Sequence, residues 1–163
     1  MKQYIGVKII KAKPGTMAEA QAIKSHFPSK MIKDSIQDKE PDGYIVEYAD
    51  GYISWSPKDV FEEAYRPCDN MTFGLAIEAM KKGKKVARKG WNGKGMFIYI
   101  QDGNRVFTHN LRADAIRDYC MSRVIQHVDI NPHIDMKAAD GSLVIGWLAS
   151  QTDMLAEDWY IVE

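Results

Sequence analysis

The sequence is poor in the residues that announce a reaction or an oxidising compartment. Two cysteines, Cys68 and Cys120, stand far apart in 163 residues with no Cys-x-x-Cys partner, so neither a disulfide framework nor a zinc site is expected. No apolar run approaches the roughly 20 residues of a membrane span. The start, Met1-Lys2-Gln3-Tyr4-Ile5-Gly6, lacks the apolar stretch of a signal peptide, and a cytoplasmic protein with no membrane partner is expected. Net charge is missing too: 22 Lys+Arg face 22 Asp+Glu, which excludes a global basic field for coating nucleic acid and an acidic excess of the disordered kind. The four histidines, at 26, 109, 127 and 133, include no His-x-x-x-His or His-Glu pair, and no serine sits in a Gly-x-Ser-x-Gly turn. His133 and Asp135 share one strand face and read as a surface pair. Nothing in this inventory requires catalysis, a metal or a cofactor.

What is present is 45% hydrophobic and 27% charged, the composition of a globular protein. The charge is unevenly spread. Residues 1–66 hold ten basic and ten acidic side chains, 71–95 hold seven and one, and 96–163 hold five and ten. A proline and polar residues at Tyr65-Arg66-Pro67-Cys68-Asp69-Asn70 interrupt the periodicity and predict a boundary between a small N-terminal α+β module, 1–66, and a second module, 71–163.

In the first module, Tyr4-Ile5-Gly6-Val7-Lys8-Ile9-Ile10 predicts a strand and Met17–Lys24 a short helix, with an irregular connection over 25–42. Tyr44–Tyr48 and Tyr52–Trp55 flank Asp50-Gly51 as a hairpin, and Ser56-Pro57 predicts the cap and first turn of a helix over 60–65. The aromatics at 44, 48, 52 and 55 read as packing residues. In the second module, Thr72 caps a helix whose Phe73, Ala76, Ile77 and Met80 share a face. Strands follow over 84–89 and 96–100, then a helix with Ala113, Ile116, Cys120 and Val124 at near-helical spacing. Strands over 133–138 and 143–147, a short helix over 152–156 and a strand over 159–162 complete an α+β module with a small, mostly antiparallel sheet and packed helices.

Two segments could hold a ligand. Gly90-Trp91-Asn92-Gly93-Lys94-Gly95 sets glycines, whose amides approach a ligand closely, beside an indole that can stack on a base and beside the cations Arg88, Lys89 and Lys94. The spacing is neither a Rossmann fingerprint nor a P-loop. The alternative is a glycine-rich hairpin loop whose Trp packs on the sheet. In Gly146–Met154, Ser150 and Asp153 have the spacing of a capping box, while Gln151 and Thr152 remain free to meet a ligand.

Met71–Met80, Val86–Met96 and Gly146–Trp159 together resemble the second family of Thoeris anti-defence proteins, over about 71–102 and 133–163. The resemblance implies a phage-type, non-enzymatic sponge that sequesters cyclic ADP-ribose-type signals made by TIR-domain enzymes, and in some members cyclic dinucleotides of CBASS defence. It also implies a homotetramer with pockets at subunit interfaces. Carried onto this chain, Trp91 would stack on a base, Asn92 and the Gly93 amide would contact base or phosphate, Arg88 and Lys94 would balance phosphate, and Gln151, Thr152 and Asp153 would line the ribose. On this reading Trp91→Ala should abolish retention and leave folding unchanged. The chain departs from the compact family pattern by the module at 1–66 and by an insertion of 28 residues, 104–131. The rival readings are a hydrolase of the same signals and a nucleic-acid or host-protein module built on the basic segment 81–94.

Overall fold

The computed structural model describes residues 2, 3, 6–25 and 40–163, which form two compact units, Met1–Pro67 and Cys68–Glu163. In the first unit, β1 (Lys11–Gly15), β2 (Gly43–Glu47) and β3 (Ile53–Pro57) make an antiparallel sheet in that order, with α1 (Met17–Lys24) and α2 (Lys58–Ala64) packed on it. Thr16 and Glu19 close α1 with a reciprocal capping box. The strand expected over 4–10 is not formed by its described residues. Tyr4 and Ile5 lie outside the described residues, as do His26 and most of the 25–42 connection, while 6–10 are not strand. Pairing instead starts at Lys11, because Trp55 fixes the register: its Nε1–H donates to the Gly15 carbonyl at 2.9 Å. The indole then lies across Gly43, where a Cβ would meet its ring at 2.6 Å. Ser56 does not cap α2 either, since β3 continues through Pro57, which takes the cap position. Tyr44, Phe61 and Tyr65 stack in a row, so these aromatics pack against one another.

In the second unit a five-stranded antiparallel sheet runs in the order β10 (Trp159–Val162), β4 (Lys85–Arg88), β5 (Phe97–Gln101), β8 (His133–Lys137), β9 (Leu143–Val144). The registers Trp159↔Arg88, Val86↔Ile98 and Ile98↔Met136 align Trp159, Val86, Ile98 and Met136 on one face, following the two-residue period of a strand. Helix α3 (Phe73–Lys81) covers that face with Ala76, Ala79 and Met80. Thr72 caps α3 by accepting from the Leu75 amide. The result is an α+β fold of helix on antiparallel sheet.

The insertion is more than a helix. Strands β6 (Asn104–Phe107) and β7 (His127–Ile130) pair into a separate ribbon, and α4 (Asp114–Ser122) follows a 3-10 turn between them. Since β5 and β8 are neighbours, the ribbon extends their ends as an arm. The strand expected over 143–147 shrinks to Leu143–Val144. The Gly146 amide donates to Asp135 Oδ1 at 2.9 Å, and the Trp147 amide donates to the Ile134 carbonyl at 2.7 Å. A four-residue helix, α5 (Gln151–Met154), precedes β10. No helix among the described residues is long and apolar enough to cross a membrane.

Candidate functional site

Both motif segments meet at one carboxylate. Asp153 Oδ1 accepts from Arg88 Nη1 at 2.8 Å and from Trp91 Nε1 at 3.0 Å, while its Oδ2 accepts from the Ser150 hydroxyl at 2.7 Å. The Ser150 hydroxyl oxygen in turn accepts from the Asp153 amide at 3.1 Å, so the expected capping box is formed. Arg88 also donates through Nε to Asp158 Oδ1 at 2.8 Å, and Asp158 Oδ2 accepts the Gly90 amide at 2.7 Å. One guanidinium thus ties the end of β4, the loop 90–95, α5 and the start of β10 together. Its side chain is only 12% exposed, so the charge faces two carboxylates in a partly dry setting where each contact is strengthened.

The local sequence pattern does not point to Asp158 as part of the site. The signal available was the Asp-Trp pair at 158–159, seventy residues from Arg88 in sequence.

The electrostatics follow from this packing. Burial alone would raise the Asp153 carboxyl, yet the hydrogen bonds from Arg88, Ser150 and Trp91 outweigh it and hold the group at about 2. Asp158 is lowered chiefly by its bond from Arg88, against burial, with help from the Gly90 amide. The Arg88 guanidinium is raised in turn, first by Asp158. A depressed folded-state carboxylate stabilises the fold above its unfolded value and loses that stabilisation as the pH falls through the folded one. Stability should therefore be level above about pH 4 and fall by about 2 kcal/mol toward pH 2 on account of Asp153 alone. Thermal unfolding of the native chain and Asp153→Asn across that range checks this, since the variant should lose part of the slope.

Trp91 belongs to the frame as much as to the surface. Its ring meets Trp159 at 5.3 Å and Trp147 at 6.0 Å, both edge-on, and Phe73 packs on the same Trp159. This realises the packed-loop alternative for the indole, and the expectation that Trp91→Ala would leave folding unchanged does not fit its half-buried position. Gly93 sits where a Cβ would come within 2.3 Å of Met96 Sδ and 2.8 Å of the Ala139 methyl, so the loop's bend needs glycine there.

Around this frame, Asn92, Lys94, Gln151 and Thr152 are exposed. Among the described residues none of these four side chains makes a hydrogen bond or ion pair within the protein, so their polar groups are open. Three of the seven cations in 71–95 are already engaged: Lys81 with Glu78, Lys85 with the Glu163 carbonyl, and Arg88 with its two acids. The segment is correspondingly less of a polycation than its composition suggests.

The other expectations resolve locally. Asp135 is 2% exposed, so His133 and Asp135, with Nε2 and Oδ1 3.4 Å apart, are not a surface pair. Asp135 serves the backbone instead by accepting the Gly146 amide, which aims Trp147 at the aromatic cluster. A cavity of about 380 Å³, lined in part by Lys84, Lys85, Phe97 and Leu143, lies beside the opposite end of β4 from the loop. Among the described residues no three His, Cys, Asp or Glu side chains gather to hold a metal.

Residues 71–162 match the Tad2-like family, described as a Thoeris anti-defense 2-like domain. Over 95 residues the chain is 38% identical to Thoeris anti-defense 2 of Bacillus phage SP01, an alignment that spans 56% of this chain and 94% of that protein.

Proposed function

Because the chain belongs to the Thoeris anti-defense 2-like family, and is on that ground an anti-defence protein of the phage type, we propose that it binds and sequesters a cyclic nucleotide immune signal without cleaving it. The signal class is cyclic ADP-ribose, with cyclic dinucleotides as a second class, and the place of action is the host cytoplasm. The observation that carries this reading is the Arg88–Asp153–Asp158 network. It holds the loop 90–95 against α5 and leaves Asn92, Lys94, Gln151 and Thr152 as an open polar rim on a rigid base.

In this reading Asn92 and the Gly93 amide meet base or phosphate, Lys94 supplies the positive charge, and Gln151 and Thr152 meet ribose. Arg88 and Asp153 act by holding the rim in place, and Trp91 offers the ring on which a base would rest. Preorganisation favours tight binding because little conformational freedom is left to lose. Nanomolar affinity needs about −12 kcal/mol, and stacking at roughly 1–3 kcal/mol per base with charge-assisted bonds at about 1.5–3 kcal/mol each can reach it.

The protein works as a homo-oligomer, a tetramer in the family pattern. The exposed apolar side chains Leu143, Val144, Ile145, Leu148 and Leu155, next to the rim, support association between copies.

The test is to incubate the purified chain with a panel of cyclic ADP-ribose isomers and cyclic dinucleotides, remove free ligand, heat-denature, and chromatograph what is released. Intact ligand in stoichiometric amount is expected. A new product would make the protein a hydrolase, and no depletion of any ligand would remove the binding reading. Lys94 is exposed and pairs with no carboxylate among the described residues. Lys94→Glu should therefore weaken retention at least tenfold, in line with the loss of one charge-assisted bond, and leave the unfolding temperature within a degree or so.

A further inference from the structure

Two apolar surfaces of the 68–163 unit are left uncovered, and they are biased to opposite charge. The first is on the arm. Around α4, Ile116, Cys120 and Val124 form the apolar row, with Tyr119 and Met121 on either side. Only Cys120 is buried; Ile116, Tyr119, Met121 and Val124 are exposed, Val124 by 83%. A two-stranded ribbon is marginal by itself, and this one brings little core of its own.

Val124 has φ of 57°, the left-handed position after a helix end that glycine usually fills. The amides of Val124 and Ile125 close the helix on the Met121 and Cys120 carbonyls. A β-branched residue is strained there, yet its side chain touches almost nothing in the protomer. Strain kept for an exposed apolar group points to a contact made elsewhere.

The second surface is the strip 143–157, where Leu143, Ile145, Leu148 and Leu155 are exposed, Leu148 by 87%. Strand β9 is also an edge strand, with one side open. Residues 138–163 contain five acidic side chains and no Lys, Arg or His, whereas 104–131 contain four Arg and three Asp. Internal pairs remove Arg105 with Asp129 and Arg117 with Asp114 on the arm, and Arg88 holds Asp153 and Asp158 on the strip. Left over are Arg112, Arg123 and Asp118 on the arm, a net positive charge, against Asp140, Glu157 and Glu163 in 138–163, all negative. Both surfaces are exposed in the same protomer, so neither covers the other within one chain.

We propose that the 104–131 arm of one copy docks on the 143–157 strip of a second copy. The contact sets apolar against apolar and arginine against carboxylate. Reciprocal exchange closes a two-fold pair, and it brings the partner's arm beside Gln151 and Thr152. This rests on the homo-oligomer reading above and specifies which surfaces meet.

The test uses the full chain, with molar mass followed by sedimentation velocity over a concentration series. An arm variant, Met121→Asp with Val124→Asp, and a strip variant, Leu148→Asp with Leu155→Asp, should each self-associate at least tenfold more weakly. Mixed one to one, they should form a heterodimer, because the intact strip of the first meets the intact arm of the second. Val124→Gly should raise the unfolding temperature and weaken association, opposite directions that a folding defect cannot produce together. If the arm variants keep the native assembly, or the strip variant alone does, or the mixture forms no complex, the arm-to-strip contact is wrong while the homo-oligomer stands. A native chain that is monomeric at every concentration removes both.

Discussion

Arg88→Met is expected to lower the folding free energy of the 68–163 unit by about 3–5 kcal/mol, because it strands two partly buried carboxylates instead of deleting a single contact. At neutral pH Asp153 and Asp158 would face each other's charge with their shared cation gone, keeping only Ser150, Trp91 and the Gly90 amide as donors. Methionine preserves most of the stem volume, so the loss reports the charge rather than a cavity. Denaturant unfolding at pH 7 measures it. The gap between variant and native chain should narrow as the pH falls from about 4 toward 2, because the carboxylates protonate in the unfolded chain and in the variant while the native chain loses the stabilisation that the guanidinium gives their charged form. Arg88→Met combined with Asp153→Asn should cost less than the sum of the two single changes, the signature of groups acting as one network. A cost below 1 kcal/mol for Arg88→Met would mean that the network is not what holds the loop.

How legible this was in the sequence depended on the range of the interaction. Helix α3, its Thr72 cap and the Ser150–Asp153 box depend on residues three or four apart, and the pattern predicts them correctly. Strands β5 and β10 announce themselves by β-branched and aromatic runs. Where a distant group decides the geometry, the local pattern misleads. The continuous apolar run 143–147 reads as one strand, yet the buried carboxylate of Asp135 takes the Gly146 amide and turns the chain after Val144. Likewise residues 6–10, the described part of the run, have the higher β-propensity, but the bond from Trp55 to the Gly15 carbonyl makes Lys11–Gly15, exposed except at Gly15, the strand. In the arm, α4 is visible from its apolar spacing, while β6 and β7 are short and flanked by charge and leave little trace.

The candidate site divides in the same way. The glycines, the Trp and the cations are visible as a group, but their duties are not. Arg88 is predicted to face phosphate because the two acids that hold it lie 65 and 70 residues away. Asn92 and Lys94, predicted on the same grounds, do stay exposed. A cation at a strand end next to an open loop looks the same in sequence whether it meets a ligand or a carboxylate, and only the fold separates the two.

Trp91→Ala is therefore expected to act on folding and on ligand retention at once, with a stability loss of about 3 kcal/mol, the lower end for deleting a large aromatic because the ring is half-buried. Three contributions combine: the edge-on contacts with Trp147 and Trp159, the apolar area lost from the cluster, and the bond from Nε1 to Asp153. Trp91→Phe separates them, since it keeps much of the ring and removes the donor; it should cost about 1 kcal/mol. Lost retention in Trp91→Ala alone would not establish stacking, because the same change loosens the loop that carries Asn92 and Lys94. The informative comparison is Asn92→Ala, on an exposed side chain, which should weaken retention and leave the unfolding midpoint in place. If Trp91→Ala unfolds at the native denaturant midpoint, the indole is not part of the frame, and its freedom to stack on a base becomes the simpler account of why a tryptophan stands in this loop.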